Sequence, residues 1–285
     1  MKVKSLVLSV LVLAAAATAT AGDVILPTFA WNNAGKGANN WSSEVYLTNP
    51  GPEAIRVTLE DVYVGKIKEM TPPCLHPSPV RLDVPAYSTV AWTAASIAIG
   101  LGCPEWALVG LRLSSESFFV VNSRMVNTFT SQSTSTERLL TGLSQEVPGV
   151  PVEELLQPKN EYMVPGLGWE PAPCGAVQFD NYLQIVNPND ETATITLALG
   201  AGGPAGELMV DGVRRTAPYE LELKARSWRQ VKIGPAPRYA IQCEAAVLAD
   251  VFVSASVPVS LYASVVDRKT QDPRTMQPVT VAPAP

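Results

Sequence analysis

His76 is the chain's only histidine, and it stands two residues after Cys74 in the proline-rich run Thr71 to Pro79. A histidine can act as the base for a serine or cysteine nucleophile, but base, nucleophile and orienting acid must lie within hydrogen-bond reach. No serine occupies a G-x-S-x-G elbow. The plainer reading of His76 is an exposed loop residue. Paired carboxylates could hydrolyse a glycoside without histidine. The candidates Glu60-Asp61 and Glu153-Glu154 are adjacent in sequence. On a strand such neighbours face opposite sides, and on a short helix they form a solvated edge. Asp180, Asn181, Asn187, Asn189, Asp190 and Glu191 could offer oxygen ligands to calcium. Calcium wants six to eight oxygens converging on one point, whereas Asn-Pro and Asn-Asp pairs are also the ordinary residues of tight turns. The turn reading is preferred, and no metal or other cofactor is expected.

The tryptophans are the candidate binding residues. Trp31 and Trp169 each precede a loop rich in small residues. Exposed aromatics stack on sugar rings or enter partner pockets, and tryptophan is enriched at binding hot spots. The alternative is that each covers the open end of its own domain, because burying a tryptophan stabilises a modest core. Trp41, Trp92, Trp106 and Trp228 fall on or beside predicted strands and are assigned to the core. Asn40-Trp41-Ser42 matches a glycosylation sequon by pattern and is treated as coincidence.

What must position these residues is written twice. Ten of the residues between Ile25 and Leu59 recur without gaps 138 positions later, among them Pro27 as Pro165, Trp31 as Trp169, Asn49-Pro50 as Asn187-Pro188, and Thr58-Leu59 as Thr196-Leu197. Chance would give roughly two identities in such a window. Further on, Val121–Asn127 lies over Leu261–Asp267 at an offset of 140. The chain is one domain duplicated.

Each copy alternates with a strand period. Val45 and Leu47 oppose Glu44, Tyr46 and Thr48; Ile55, Val57 and Leu59 oppose Arg56, Thr58 and Glu60. Successive side chains of a strand point to opposite faces, so this pattern buries one face. The spacing predicts further strands over Val80–Val84, Ser88–Trp92, Ala107–Leu113 and Phe118–Val126 in copy one. In copy two it predicts Tyr219–Leu223, Ser227–Ile233, Ala246–Val253 and Val257–Val266. About seven short strands per copy predict an all-β fold of two tandem Ig-like antiparallel β-sandwich domains with a partly ordered linker. The expected boundaries are residues 1–21 as signal peptide, 22–130 and 161–280 as the two sandwiches, and 131–160 as the linker. Apolar residues from Leu139 to Leu156 argue for partial order there, with a short helix at Val152–Gln157.

Lys2 and Lys4 precede an apolar run, and Ala19-Thr20-Ala21 presents small residues at a cleavage site, the pattern of a secretory signal. The apolar run is shorter than the ~20 residues a spanning helix needs, so no membrane insertion is expected after cleavage. Without Lys2 and Lys4 the 21 basic residues fall to 19 against 26 acidic ones, a poor match for nucleic acid. The expected location is secreted, periplasmic or at the cell surface. Four cysteines, Cys74, Cys103, Cys174 and Cys243, remain. An even count in an exported chain reads as disulfides. Of three connectivities, Cys74–Cys103 with Cys174–Cys243 is expected, because Cys103 and Cys243 match across the copies and each copy keeps one further cysteine.

The apolar-Pro opening Ile25-Leu26-Pro27, the aromatic-to-Asn-Pro stretch Trp41 to Pro50, the strand Ser227 to Val231 and the closing run Leu261 to Pro273 resemble tandem β-sandwich repeats of secreted, largely uncharacterised bacterial proteins. The Gln145–Pro151 stretch resembles their inter-repeat connection. The resemblance covers nearly all of the chain after residue 21 and implies fold and export rather than activity. The expected function is an exported, non-enzymatic module with a structural, adhesive or surface-binding role, its partner a protein or glycan. The alternative is a carbohydrate-binding module using Trp31 and Trp169; a carboxylate-dependent hydrolase comes last.

Overall fold

The computed structural model describes residues 22–34, 39–65, 80–103, 106–130, 139–169, 179–200, 207–235, 247–267 and 273–281. The first half contains β1 (Gly22–Trp31), β2 (Asn33–Ala34), β3 (Asn39–Asn49), β4 (Ile55–Tyr63), β5 (Val80–Val84), β6 (Ser88–Thr93), α1 (Ala94–Gly100), β7 (Ala107–Ser115), β8 (Val120–Thr130), β9 (Leu139–Pro148) and β10 (Val150–Pro151). The second contains β11 (Tyr162–Trp169), β12 (Phe179–Asn187), β13 (Ala193–Leu199), β14 (Glu207–Val210), β15 (Val213–Thr216), β16 (Tyr219–Leu223), β17 (Ser227–Pro235), β18 (Val247–Ala255), β19 (Ser260–Asp267), β20 (Pro273–Met276) and β21 (Val279–Thr280). All the described ladders between these strands are antiparallel. The fold is an all-β sandwich architecture.

Period-two alternation produces the sheets. On β4, Ile55, Val57 and Leu59 are buried while Arg56 and Glu60 are exposed. On β13, Ala193, Ile195 and Leu197 are buried in the same rhythm. In the first half one sheet runs β10-β1-β7-β4-β5 and faces a second built on β2-β3-β8-β9, with β6 paired to β3. In the second half β21-β11-β18-β13-β16 repeats the first of these orders. The other sheet, β15-β14-β17-β12-β19-β20, repeats the second, with β17 in the place of β6 and an added β14–β15 hairpin.

The duplication holds to the level of register. The ladder of β1 with β7 shifts between Leu26 and Phe29, and that of β11 with β18 shifts between Val164 and Leu167. These are matching positions, and Pro27 and Pro165 lie within the two shifts. Proline has no N–H to give a ladder, so pairing breaks there and resumes one bulge later. Asn49 and Asn187 also do one job twice. Asn49 is buried, and its Nδ2 donates to the carbonyls of Glu53 (2.7 Å), Val84 (3.2 Å) and Pro85 (3.0 Å). Asn187 Nδ2 donates to Glu191 (2.8 Å), Leu223 (3.1 Å) and Lys224 (3.0 Å). The Asn-Pro pairs are corner staples, each tying one strand pair to the turn of the next.

Part of the stretch expected as a linker completes the first half. β9 pairs along β8, and β10 pairs with β1 at Val24–Pro151 and Ile25–Val150. β20 and β21 occupy the same places, with Tyr162–Thr280 and Met163–Val279 as the matching pairs. A 3-10 turn at Val152–Glu154 stands where a short helix was expected. The seven-residue helix α1 was not expected. Thr93 caps it by accepting from the Ser96 N–H (3.2 Å), it buries Ala94, Ile97 and Ala98, and Gly102 at φ +63° turns the chain out of it.

Two hydrophobic clusters result. One fills the second half around Val164, Leu183, Ile195 and Val231. The other fills the first half around Leu26, Leu47, Leu59 and Leu111, but it also takes in Val186, Trp228 and Tyr262 from the second.

Candidate functional site

Those three residues mark the feature on which the molecule is organised, a joint between the outer faces of two sheets. Val186, Trp228 and Tyr262 lie on β12, β17 and β19, on the face turned away from their own core. β1 and β7 supply the opposing surface. The Trp228 indole Nε1 donates to the Pro27 carbonyl (2.9 Å), the group freed by the β1 bulge. Trp228 is 1% exposed and Tyr262 fully buried. Two glycines permit the approach. A Cβ on Gly110 would stand 2.8 Å from Val186 Cγ2, and one on Gly65 would stand 1.8 Å from the Trp228 carbonyl oxygen.

Polar groups rim this contact. Arg226 of the second half pairs with Asp61 of the first, and Val64 bridges to Ser227. Arg112 holds Asp23 through its Nε (2.9 Å) and its terminal nitrogen, and that hydrogen bond raises the Arg112 pKa. The Tyr63 side chain is buried beside them. Burial, and then the nearby Asp61 charge, push its phenol pKa up to about 12. Burial likewise raises the Tyr262 phenol, which faces Thr28. On the far side, Gln145 of β9 donates to Thr275 Oγ1 (2.9 Å) and accepts from Ser264 Oγ (2.9 Å). Leu156 and Val259 exchange backbone hydrogen bonds at 2.9 and 3.2 Å.

A second feature is an open trough of about 510 Å³ on the outer face of β13 and β18. Thr194, Thr196, Ser254 and Ser256 line it, with Lys159, Asn160 and Glu161 at the rim. Thr194 N–H donates to Ser256 Oγ (2.9 Å), and Thr196 sits opposite Ser254 in the ladder. Such rows of hydroxyls offer alternating donors and acceptors to a polar, polyhydroxylated ligand. The first half has Arg56 and Glu116 at two of these places, so the row of hydroxyls is not repeated there.

No protein-family model, curated protein or solved structure matches the chain.

The residues singled out by sequence are dispersed. His76, Cys74, Cys174 and Cys243 lie outside the described residues, as does the expected signal at 1–21. Cys103 is buried at the end of α1. Trp31 and Trp169 close β1 and β11 opposite Ala107 and Val247, matching positions of the repeat. Trp31 is half-buried against the first core; the Trp169 side chain is outside the described residues. Trp92 is core and Trp41 packs on it, whereas Trp228 is buried in the joint rather than in its own domain's interior. The oxygen-rich residues do not converge. Asp180 opens β12 and pairs with Lys232 (2.6 Å), while Asn187 closes the same strand roughly 23 Å away. Asp190 pairs with Arg226, and Asn189 Nδ2 donates to Pro258 (2.6 Å). Glu60 accepts from Ser114 Oγ (2.7 Å), and Asp61 is committed to the joint. Glu153 and Glu154 are exposed in the 3-10 turn. Among the described residues no group of histidine, cysteine and carboxylates is placed to hold a metal, and no helix is long and apolar enough to cross a membrane.

The joint escaped sequence reasoning, yet it leaves a signal. Val24 to Ala30 and Ser260 to Val265 are buried residue after residue, without the alternation of a strand that has one wet face. Unbroken burial of this kind belongs to strands covered on both sides, and in Val24–Ala30, apolar but for Thr28, the sequence itself shows it.

Proposed function

We propose that the chain is an exported, non-enzymatic module in which two tandem immunoglobulin-like sandwiches act as one rigid structural or adhesive body, binding a protein or glycan at a cell surface. The joint carries this reading. A flexible pair of domains would leave Trp228 and Tyr262 in water, whereas burying them across the contact holds both sandwiches in one orientation. A fixed spacing between end loops suits a scaffold or adhesin, which transmits force through its body. Disulfides Cys74–Cys103 and Cys174–Cys243 fit the same role, and Cys103 is not a free thiol. The test is a screen of the purified protein against glycan arrays and intact cells, beside broad glycosidase and esterase assays. Saturable binding without turnover is expected; turnover of any substrate overturns the reading.

The hydroxyl trough favours one second reading, carbohydrate binding. On this reading Thr196 and Ser254 carry the contacts in place of Trp31, which packs on the core. Glycan binding lost in Thr196→Val but kept with an unchanged melting temperature in Trp31→Phe supports the trough. The reverse pattern supports the tryptophans.

A further inference from the structure

The hydroxyl trough on β13 and β18 is flanked by carboxylates. β16 pairs along β13, with Thr194 opposite Glu222 and Thr196 opposite Glu220. Directly opposed residues of neighbouring strands lie about 5 Å apart at Cβ and share a face, so both glutamates stand beside the hydroxyls on the outer side of the sheet. Both are exposed, in alternation with buried Leu221 and Leu223. Glu161, next to β11, stands on the opposite margin, at the rim of the trough with Lys159, and both are exposed. The turns at this end add one charge of each sign, Glu191 and Lys224.

The counterpart face of the first half disposes of its charges differently. Arg56 and Thr58 hold the places of Thr194 and Thr196, and they pair with Asp83 and Arg81. There Arg56 Nε donates to Asp83 (2.7 Å), so cation and carboxylate satisfy each other. In the second half each glutamate faces a threonine instead. Among the described residues no ion pair uses Glu161, Glu220 or Glu222. The trough therefore joins two kinds of group: hydroxyls that donate and accept, and carboxylates that only accept. A hydrogen bond to a carboxylate from a charged donor is roughly twice as strong as one between neutral groups. The face thus favours a ligand that brings cationic N–H groups as well as hydroxyls.

We propose that the trough binds a chain of amino sugars with free amines, its hydroxyls meeting Thr194, Thr196, Ser254 and Ser256 and its ammonium groups meeting Glu161, Glu220 and Glu222. This rests on the carbohydrate reading of the trough and deepens it by fixing the charge of the ligand. A neutral sugar leaves the three carboxylates unmatched. A uronate sets its own carboxylates against them, and like charges in contact reject the wrong partner. A lysine-rich peptide matches the carboxylates but brings no hydroxyls to the four serine and threonine side chains.

The test is calorimetric titration of the purified full chain with a glucosamine hexamer, its N-acetylated form, a galacturonate hexamer and hexalysine, at low and at high salt. At low salt the glucosamine hexamer is expected to bind roughly tenfold more tightly than the N-acetylated form. High salt should remove that advantage, because exposed charges are screened. Glu220→Gln combined with Glu222→Gln should weaken glucosamine binding roughly fivefold, and Thr196→Val should weaken it too, each with an unchanged melting temperature. Should Thr196→Val lower the melting temperature, Ser254→Ala takes its place. Equal binding of the N-acetylated form, or a preference for the uronate, overturns the proposal and leaves the carbohydrate reading standing. No binding of any of the three sugars overturns the proposal, and a blank glycan array beside it sinks the carbohydrate reading as well. Hexalysine bound as tightly as the glucosamine hexamer, or an affinity unchanged in the glutamine variant, also overturns it.

Discussion

At the scale of single residues, the strongest constraints come from buried polar groups with defined partners. Asn187→Ala strands up to three carbonyls in a buried corner, and a cost of about 1–3 kcal/mol is expected in urea denaturation. Asn49→Ala should cost a similar amount; a negligible loss in both would refute the corner-staple role. Tyr63 and Tyr262 set an alkaline limit. A phenol whose folded pKa is raised favours the neutral form in the native state. Its contribution is complete below the unfolded value of about 10 and declines as pH rises towards the folded value, about 12 for Tyr63. Stability should therefore fall between about pH 10 and about pH 12, less steeply in Tyr63→Phe and Tyr262→Phe. An unchanged slope in both variants would contradict this.

At the scale of elements, the strand pattern was readable because half-buried strands alternate. β5 and β16 begin and end where alternation placed them, and each end of β6, β7, β17 and β18 lies within two residues of the expected limit. What was hidden follows from different physics. α1 is too short for a helical period to show, and it is held by a threonine cap and the core beneath it. β9 and β10 sat in a stretch that differs from its repeat partner, since β20 and β21 match them in place but share little sequence. The joint was obscured because the copies differ where it forms: Trp228 lies over Thr89, and Tyr262 over Asn122. Repeat comparison finds what the halves share, while the joint depends on what they do not. Of the candidate residues, Trp31 and Trp169 were rightly paired with each other, and both bound the first strands of their sheets. Gly110→Leu tests the close approach. It should force Val186 and the β12 sheet back and lower the melting temperature by several degrees, whereas Gly212→Leu, in an exposed hairpin turn at φ +80°, disturbs only that turn.

At the scale of the whole molecule, Val186, Trp228 and Tyr262 of the second half complete the hydrophobic cluster of the first, so the duplicated chain is expected to unfold as one cooperative body. Trp228→Ala removes the largest fully buried side chain among the described residues and opens a cavity between the halves rather than within one of them. A loss of about 3–5 kcal/mol is expected for such a truncation, and the two halves should then melt independently. Differential scanning calorimetry of wild type and Trp228→Ala tests this most directly. The joint predicts a single wild-type transition, with calorimetric and van't Hoff enthalpies in agreement, that splits in two on losing the indole. Two transitions in the wild type, or one unsplit transition in the variant, would contradict it.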